Sequence, residues 1–342
     1  MANVRLYIVL LLIVCTACTH RFDGVEDNTP IGNMECLWRT LDDKYCYFEE
    51  KSIDWQKVHD EYVPKVKSVR SGDYLALFDT LANMVNSLND GHVNIYSNFD
   101  ISRCDSWYAG YPKNWDWEVV KNYYLTDYRI AGGAYYNTIA DGQVGYIYVG
   151  SFEQVVSANN MAYILRSFKD CKGVIVDVRD NGGGDLENAY QLAATFFEHD
   201  TTVGYWQHKN GRGHNDFSSL EPQQLRKSKM PSTWLRPVVV LCNRKTYSAA
   251  NFFVSIMRYA YNSAIMGGVS GGGGGMPLSY ELPNGWTVRF SSIRMFDASK
   301  NSIEPGISPD VFVEDDPQTN QDEIIDAAVQ VIKKCYKNDT SH

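Results

Sequence analysis

The chain has little positive charge and no apolar run long enough to cross a bilayer. Its 342 residues carry 41 acidic against 32 basic side chains, a formal net charge of −9. Binding to phosphate backbones needs the opposite balance, so no nucleic-acid partner is expected. The longest apolar run near the N-terminus extends only from Leu6 to Val14, well short of the roughly 20 residues a spanning helix needs. No two histidines lie at helical spacing. The six cysteines beyond residue 18 (Cys36, Cys46, Cys104, Cys171, Cys242 and Cys335) form no CxxC and no metal-ligand pattern. No metal is therefore expected. No Lys-Ser or Lys-Thr follows the glycine tracts, which argues against a phosphate loop, and no organic cofactor is implied. What is present is ordinary for a folded chain: 44% hydrophobic and 21% charged residues, with 13% aromatic residues to fill a core. Length alone suggests about two domains, with enough core to fold without disulfides.

The N-terminus reads as a targeting segment. Arg5 precedes the apolar run, and Cys15-Thr16-Ala17-Cys18 follows it. Small residues before a cysteine resemble the bacterial lipoprotein cleavage box over 1–18, with Cys18 lipidated; a plain secretory signal and an uncleaved anchor are the other readings. A polar stretch over 19–33, containing Asp23-Gly24 and Thr29-Pro30, reads as a tether. That would place the protein in a bacterial cell envelope, touching the membrane only through its lipid. Cys36 and Cys46 could pair in such a compartment.

Residues 34–92 predict a small helical domain. Leu37, Leu41, Tyr45 and Phe48 recur at three- and four-residue spacing, as do Leu77, Phe78, Leu81, Met84 and Val85. Asp54 is placed to cap a helix, and Ser71-Gly72-Asp73 breaks one. The segment 93–143 reads as an aromatic-rich connection. Its Trp and Tyr residues between 107 and 136 either line a substrate groove or simply pack. From 144 to 342 strands and helices alternate, which indicates an α/β core. Gly173–Val178 and Pro237–Cys242 are near-continuous apolar runs of the kind found in buried parallel strands. The first runs into Arg179-Asp180-Asn181-Gly182-Gly183-Gly184. The second runs into Thr246-Tyr247-Ser248-Ala249-Ala250 at a helix start.

Several residues here can carry chemistry, and each has a plainer reading. Ser248 lies between a buried strand and a helix. Its hydroxyl is either an N-cap or a nucleophile beside helix N–H groups able to hold an oxyanion. His92, at a strand start in Asn89-Asp90-Gly91-His92-Val93, is either a packed imidazole or a general base. Gly182, Gly183 and Gly184 either turn the chain or let it approach a ligand. The tract Gly271–Gly275 is either a loop or a substrate-facing bend. Glu304, in a rigid Glu-Pro-Gly turn, is either solvated or able to orient an imidazole.

The order of these motifs is more specific than any one of them. Asn89-Asp90-Gly91-His92, the strand ending in Arg179-Asp180-Asn181-Gly182-Gly183-Gly184, Tyr247-Ser248-Ala249-Ala250, the 271–275 glycines and Ile303-Glu304-Pro305-Gly306-Ile307-Ser308-Pro309-Asp310 together resemble the tail-specific, or C-terminal processing, serine peptidases, including the tricorn catalytic core. The resemblance covers about residues 34–317. It implies a crotonase-like α/β core, no cofactor, and peptide or protein substrates cleaved through an acyl-enzyme. It further implies Ser248 as nucleophile, His92 as base, Glu304 orienting His92, Ala249 and Gly183 as oxyanion donors, and a substrate loop including Gly182, Gly184, Gly272 and Gly273. Many members use a Ser–Lys dyad; here Gly273 stands at the lysine's place, which points to the tricorn-like Ser-His-Glu branch. Lys245, the lysine nearest Ser248, reads as a solvated turn residue. The 97–143 stretch is too short for the PDZ domain many members insert. Two other functions stay open: a non-catalytic peptide- or ligand-binding lipoprotein on this fold, such as the family's retinoid-binding relative, and a surface binder that uses its aromatic patch.

Overall fold

Thr29 and Pro30 start the first helix. The Thr29 hydroxyl accepts the Gly32 N–H, and Pro30 takes the first helical position, where its missing N–H is no loss. The computed structural model describes residues 27–228, 233–315, 319 and 321–339. The expected signal segment, with Cys18, lies outside the described residues, as does the tether up to 26. The tether's expected end at 33 needs correcting, because α1 (Pro30–Lys44) already begins inside it. Then come α2 (Trp55–Lys67), capped by Asp54 through Lys57 N–H, and α3 (Tyr74–Asn86), capped by Asp73 through Ala76 N–H.

These helices do not enclose a core of their own. Leu37, Leu41, Phe48, Trp55, Phe78 and Leu81 cluster with Trp286, Val288 and Phe290, which lie some two hundred residues downstream. Cys36 and Cys46 are buried thiols in that cluster.

The chain continues through β1 (Asn94–Tyr96), α4 (Trp117–Val119, prolonged by a π-helical turn, Val120–Tyr124), β2 (Arg129–Ala131), β3 (Ala134–Ile139), β4 (Val144–Tyr148), α5 (Ala158–Ser167), β5 (Gly173–Asp177), α6 (Leu186–Ala193), β6 (Thr201–His208), β7 (Glu221–Leu225), β8 (Val238–Cys242), α7 (Ala249–Met257), β9 (Ser263–Gly267), β10 (Gly275–Glu281), β11 (Thr287–Asp297), β12 (Val311–Phe312) and α8 (Glu323–Asp339). Two sheets result. One runs β12-β9-β8-β5-β4-β3-β2, parallel from β12 to β4 and antiparallel thereafter. The other runs β1-β11-β6-β7, with β10 also on β11. The architecture is mixed α/β. Its core starts before 144, because β2 and β3 are strands of the main sheet. The aromatic segment largely packs: Trp115 and Trp117 lie on Tyr148, and Tyr128 lies on Tyr135.

Every residue of β5, β8 and α7 is buried. Burying Phe252, Phe253, Val254, Ile256 and Met257 is worth about 1.5–3 kcal/mol apiece. This holds the start of α7 rigidly at the carboxyl end of β8, beside the loop that leaves the adjacent parallel strand β5. Open α/β sheets form their sites at such a place.

Candidate active site

The two loops at those strand ends are laced together. Arg179 is fully buried and clamps Asp177 and Asp322, with Nη2 2.7 Å from a carboxylate oxygen of each. The Tyr146 hydroxyl bonds Asp177 at 2.7 Å, and Arg179 Nη1 donates to Asn114 O. A buried charge is tolerated only when paired and hydrogen-bonded in this way. Beyond it, Thr246 Oγ1 donates to Val178 O, the Asn243 amide bonds Asp180, and Tyr247 N–H bonds Asn181 O.

Ser248 sits in this frame at φ 56° and ψ −124°, in the region a side chain ordinarily avoids, at a cost of about 1–3 kcal/mol. Ser248 N–H bonds Gly272 O at 2.9 Å, which helps hold that geometry. The hydroxyl makes no cap bond to α7; it lies 2.9 Å from Nε2 of His92. Ser248 thus stands at the N-cap position without its hydroxyl capping the helix. Two residues 156 positions apart in sequence meet at hydrogen-bond distance.

His92 is 3% exposed. Burial pushes its imidazole down to about 4; the Asp90 carboxylate pulls it up, and Arg289 and Lys51 push it further down. At neutral pH it is uncharged, so Nε2 can accept the Ser248 hydroxyl proton. Its ring lies 4.9 Å from that of Tyr247, which stacks in turn on Trp107 at 4.2 Å.

Two expected roles fail. Glu304 does not orient His92: Nδ1 of His92 is buried with no hydrogen-bond partner among the described residues. The Glu304 carboxylate instead takes Lys51 Nζ at 2.8 Å and the Gly274 N–H at 2.8 Å. Burial, then repulsion from Asp90, raises the Glu304 carboxyl to about 7 against the pull of Lys51. The second failure is Gly183 as oxyanion donor, because its N–H is committed to Asn181 Oδ1 at 2.9 Å. The glycine still matters: a Cβ there would come within 2.8 Å of Ser248 Cβ. The Ala249 N–H has no acceptor among the described backbone bonds. Lys245 pairs with Asp180 at 3.3 Å on a half-exposed stem, as a turn residue does.

Comparison with known proteins follows the same line. The model of peptidase family S41 matches residues 143–313, half of the chain, and that of the tricorn protease C1 domain matches 29–86. The chain belongs to peptidase family S41. Among its relatives is the carboxy-terminal processing protease CtpA of Bacillus subtilis, 26% identical over 182 residues; that match takes in 52% of this chain but only 37% of CtpA. A solved structure of a candidate peptidase from Parabacteroides merdae is 45% identical, with a TM-score of 0.85, covering 90% of this chain and 97% of that one. Mature CPAF complexed with lactacystin shares the fold at a TM-score of 0.64 and 12% identity, covering 90% and 97%.

Gly273 stands at φ 75°, and a Cβ there would meet the Tyr247 ring at 2.4 Å. Tyr247 fills the space a side chain at 273 would enter first. The sequence reading missed the residues that support the site. Asn251, one helical turn beyond Ser248, donates to Ile303 O at 2.9 Å and accepts from Ser270 Oγ at 2.6 Å. Ser270 accepts the Ile307 N–H, so α7 fixes the Glu304 turn. A polar residue in the otherwise apolar start of a buried helix was the available signal. Asp90 stood in the quoted motif without a role, and nothing local singled out Tyr45 or Lys51.

Proposed function

We propose that this chain is a serine peptidase that hydrolyses peptide bonds through an acyl-enzyme on a crotonase-like core. The observation that carries the reading is the 2.9 Å contact between Ser248 Oγ and His92 Nε2, made by a serine freed from capping. Ser248 Oγ attacks the substrate carbonyl carbon as His92 Nε2 takes the hydroxyl proton. The oxyanion is held by the Ala249 N–H at the start of α7, with the glycine strip 182–184 alongside. The C–N bond then breaks, and His92 returns the proton to the leaving amine. Water, deprotonated by His92, attacks the ester, releasing a carboxylic acid and restoring the Ser248 hydroxyl. Gly272 and Gly273, whose loop holds the Ser248 backbone, border the substrate. The substrates are peptides or proteins of a bacterial cell envelope, to which lipidated Cys18 tethers the enzyme.

The test is labelling with a fluorophosphonate probe, alongside peptide hydrolysis, in the wild type and in Ser248→Ala and His92→Ala. We expect labelling and hydrolysis in the wild type, neither in Ser248→Ala, and at least a hundredfold loss in His92→Ala. A wild type that neither labels nor cleaves is a binding protein on a peptidase fold.

A further inference from the structure

Asp90, two residues before His92, accepts four hydrogen bonds. Its side chain is fully buried. Oδ1 accepts the backbone N–H of His92 at 2.8 Å and the Tyr247 hydroxyl at 3.3 Å. Oδ2 accepts the Tyr45 hydroxyl at 2.9 Å and the Ser291 hydroxyl at 3.1 Å. Lys51 Nζ lies 4.0 Å from Oδ2 and 2.8 Å from Glu304. Apart from His92, two residues on, these partners come from three distant parts of the chain. Tyr45 and Lys51 follow α1, Ser291 is on β11, Tyr247 immediately precedes the candidate nucleophile, and His92 is the candidate base.

We propose that Asp90 is the positioning carboxylate for His92, in place of Glu304, and that the N-terminal helical module, through Tyr45 and Lys51, holds it there. The inference rests on the reading of Ser248 and His92 as nucleophile and base. Asp90 fixes the backbone of His92 with one oxygen and, with that same oxygen, holds the residue before Ser248. The separation between Nε2 and Oγ is therefore set by two arms that meet at one carboxylate. Tyr247 carries the second arm, and its ring is also the wall on which the imidazole rests.

Charge acts in the same direction. The groups facing His92 are Asp90, Arg289, Lys51, Tyr247 and Ser248. Of these, Asp90 is the anion that stabilises the imidazolium formed when His92 takes a proton. Asp90 itself faces Tyr45, Ser291, Tyr247, His92, Lys51, Cys46 and Glu304. Burial alone would raise its carboxyl; Lys51, His92 and Tyr45 outweigh that and hold it low, so it stays charged. Glu304 shares Lys51 and anchors the Gly274 N–H.

The test compares Asp90→Asn, Tyr45→Phe and Glu304→Gln in otherwise intact protein. It uses kcat and KM for a peptide, fluorophosphonate labelling rates against pH, thermal melting, and NMR titration of histidine-labelled protein. We expect Asp90→Asn to lower kcat about ten- to a hundredfold with KM within about threefold, the size of a charge-assisted hydrogen bond lost from the backbone that carries the base. Its acid limb and its His92 titration should move to lower pH. Tyr45→Phe should lower kcat about three- to tenfold, in line with one lost hydrogen bond. Glu304→Gln should lose less than Asp90→Asn and leave the His92 titration closer to that of wild type. The proposal is overturned if Glu304→Gln displaces the His92 titration more than Asp90→Asn does. It is equally overturned if Asp90→Asn keeps wild-type kcat. Should Asp90→Asn fail to fold, wild-type kcat in Tyr45→Phe overturns it. A wild type without turnover defeats the peptidase reading instead, and the His92 titration then decides this proposal alone.

Discussion

His92 and Glu304 should bend the pH dependence of stability in opposite directions. The imidazole titrates near 6.5 when unfolded and near 4 when folded. Between those values the unfolded chain binds more protons, so stability falls as the solution is acidified. The gap is worth about 3 kcal/mol. Glu304 is the reverse: an ordinary value of 4.5 rises to about 7 in the folded protein. Over that window the folded chain binds more protons, so stability rises on acidification, again by about 3 kcal/mol. Between about pH 4.5 and 6.5 the two nearly cancel. Removing one exposes the other. Relative to wild type, Glu304→Gln should lose stability from pH 6.5 to 4.5, and His92→Gln should gain it. At about 2–4 °C per kcal/mol for domains somewhat smaller than this one, each variant's melting temperature should diverge from wild type by roughly 5–10 °C across that window, with opposite signs. Differential scanning calorimetry at half-unit pH steps reads this directly. Two variants that diverge in the same direction, or not at all, would refute the assignment of these shifts to burial at 92 and at 304.

Three further outcomes follow from the site. Ser248→Gly should melt higher than Ser248→Ala by the equivalent of about 1–2 kcal/mol, because glycine relieves the positive φ; both should be inactive. Gly273→Lys should destabilise by about 2–5 kcal/mol, combining left-handed backbone strain with displacement of the Tyr247 ring, and should not rescue hydrolysis in a His92→Ala background. Arg179→Met leaves Asp177 and Asp322 buried without their cation, and should cost about 3–5 kcal/mol in a denaturant titration.

What was legible in the sequence was what local pattern determines. Buried parallel strands show as apolar runs, so β5 and β8 were found with their loops, and with them Ser248. Helix caps show as single residues before a periodic run, so Asp54 was found, whereas Asp73 was read only as part of a break and proves to be a cap. The exchange of Glu304 for Asp90 beside His92 was not legible, because it depends on where Lys51 reaches across a tertiary interface. A charged residue in a turn looks the same whether it meets water or Glu304. The Gly183 error has a similar origin. The resemblance put that glycine beside Ser248, where it lies, but whether its N–H is available depends on the Asn181 side chain folding back within the same loop. The boundary at 144 failed because β2 is only three residues long and shows no alternation, and only the pairing of β2 to β3 and of β3 to β4 brings both into the main sheet.

The same contacts explain why the small helical module is not dispensable to the larger core. Its apolar face closes on Val288 and Phe290 of β11, and its polar edge delivers Tyr45 to Asp90 and Lys51 to Glu304. Ser291, one residue beyond Phe290, delivers a hydroxyl to that same carboxylate and accepts the Cys46 N–H through its carbonyl. Packing and polar contacts are therefore coupled through neighbouring residues of one strand, whose alternation points Phe290 into the helical cluster and Ser291 toward Asp90. A shift of β11 by one residue would exchange those faces, removing the module's core contact and the Ser291 bond to Asp90 together. Loss of helical packing and loss of His92 support are thus two consequences of one register.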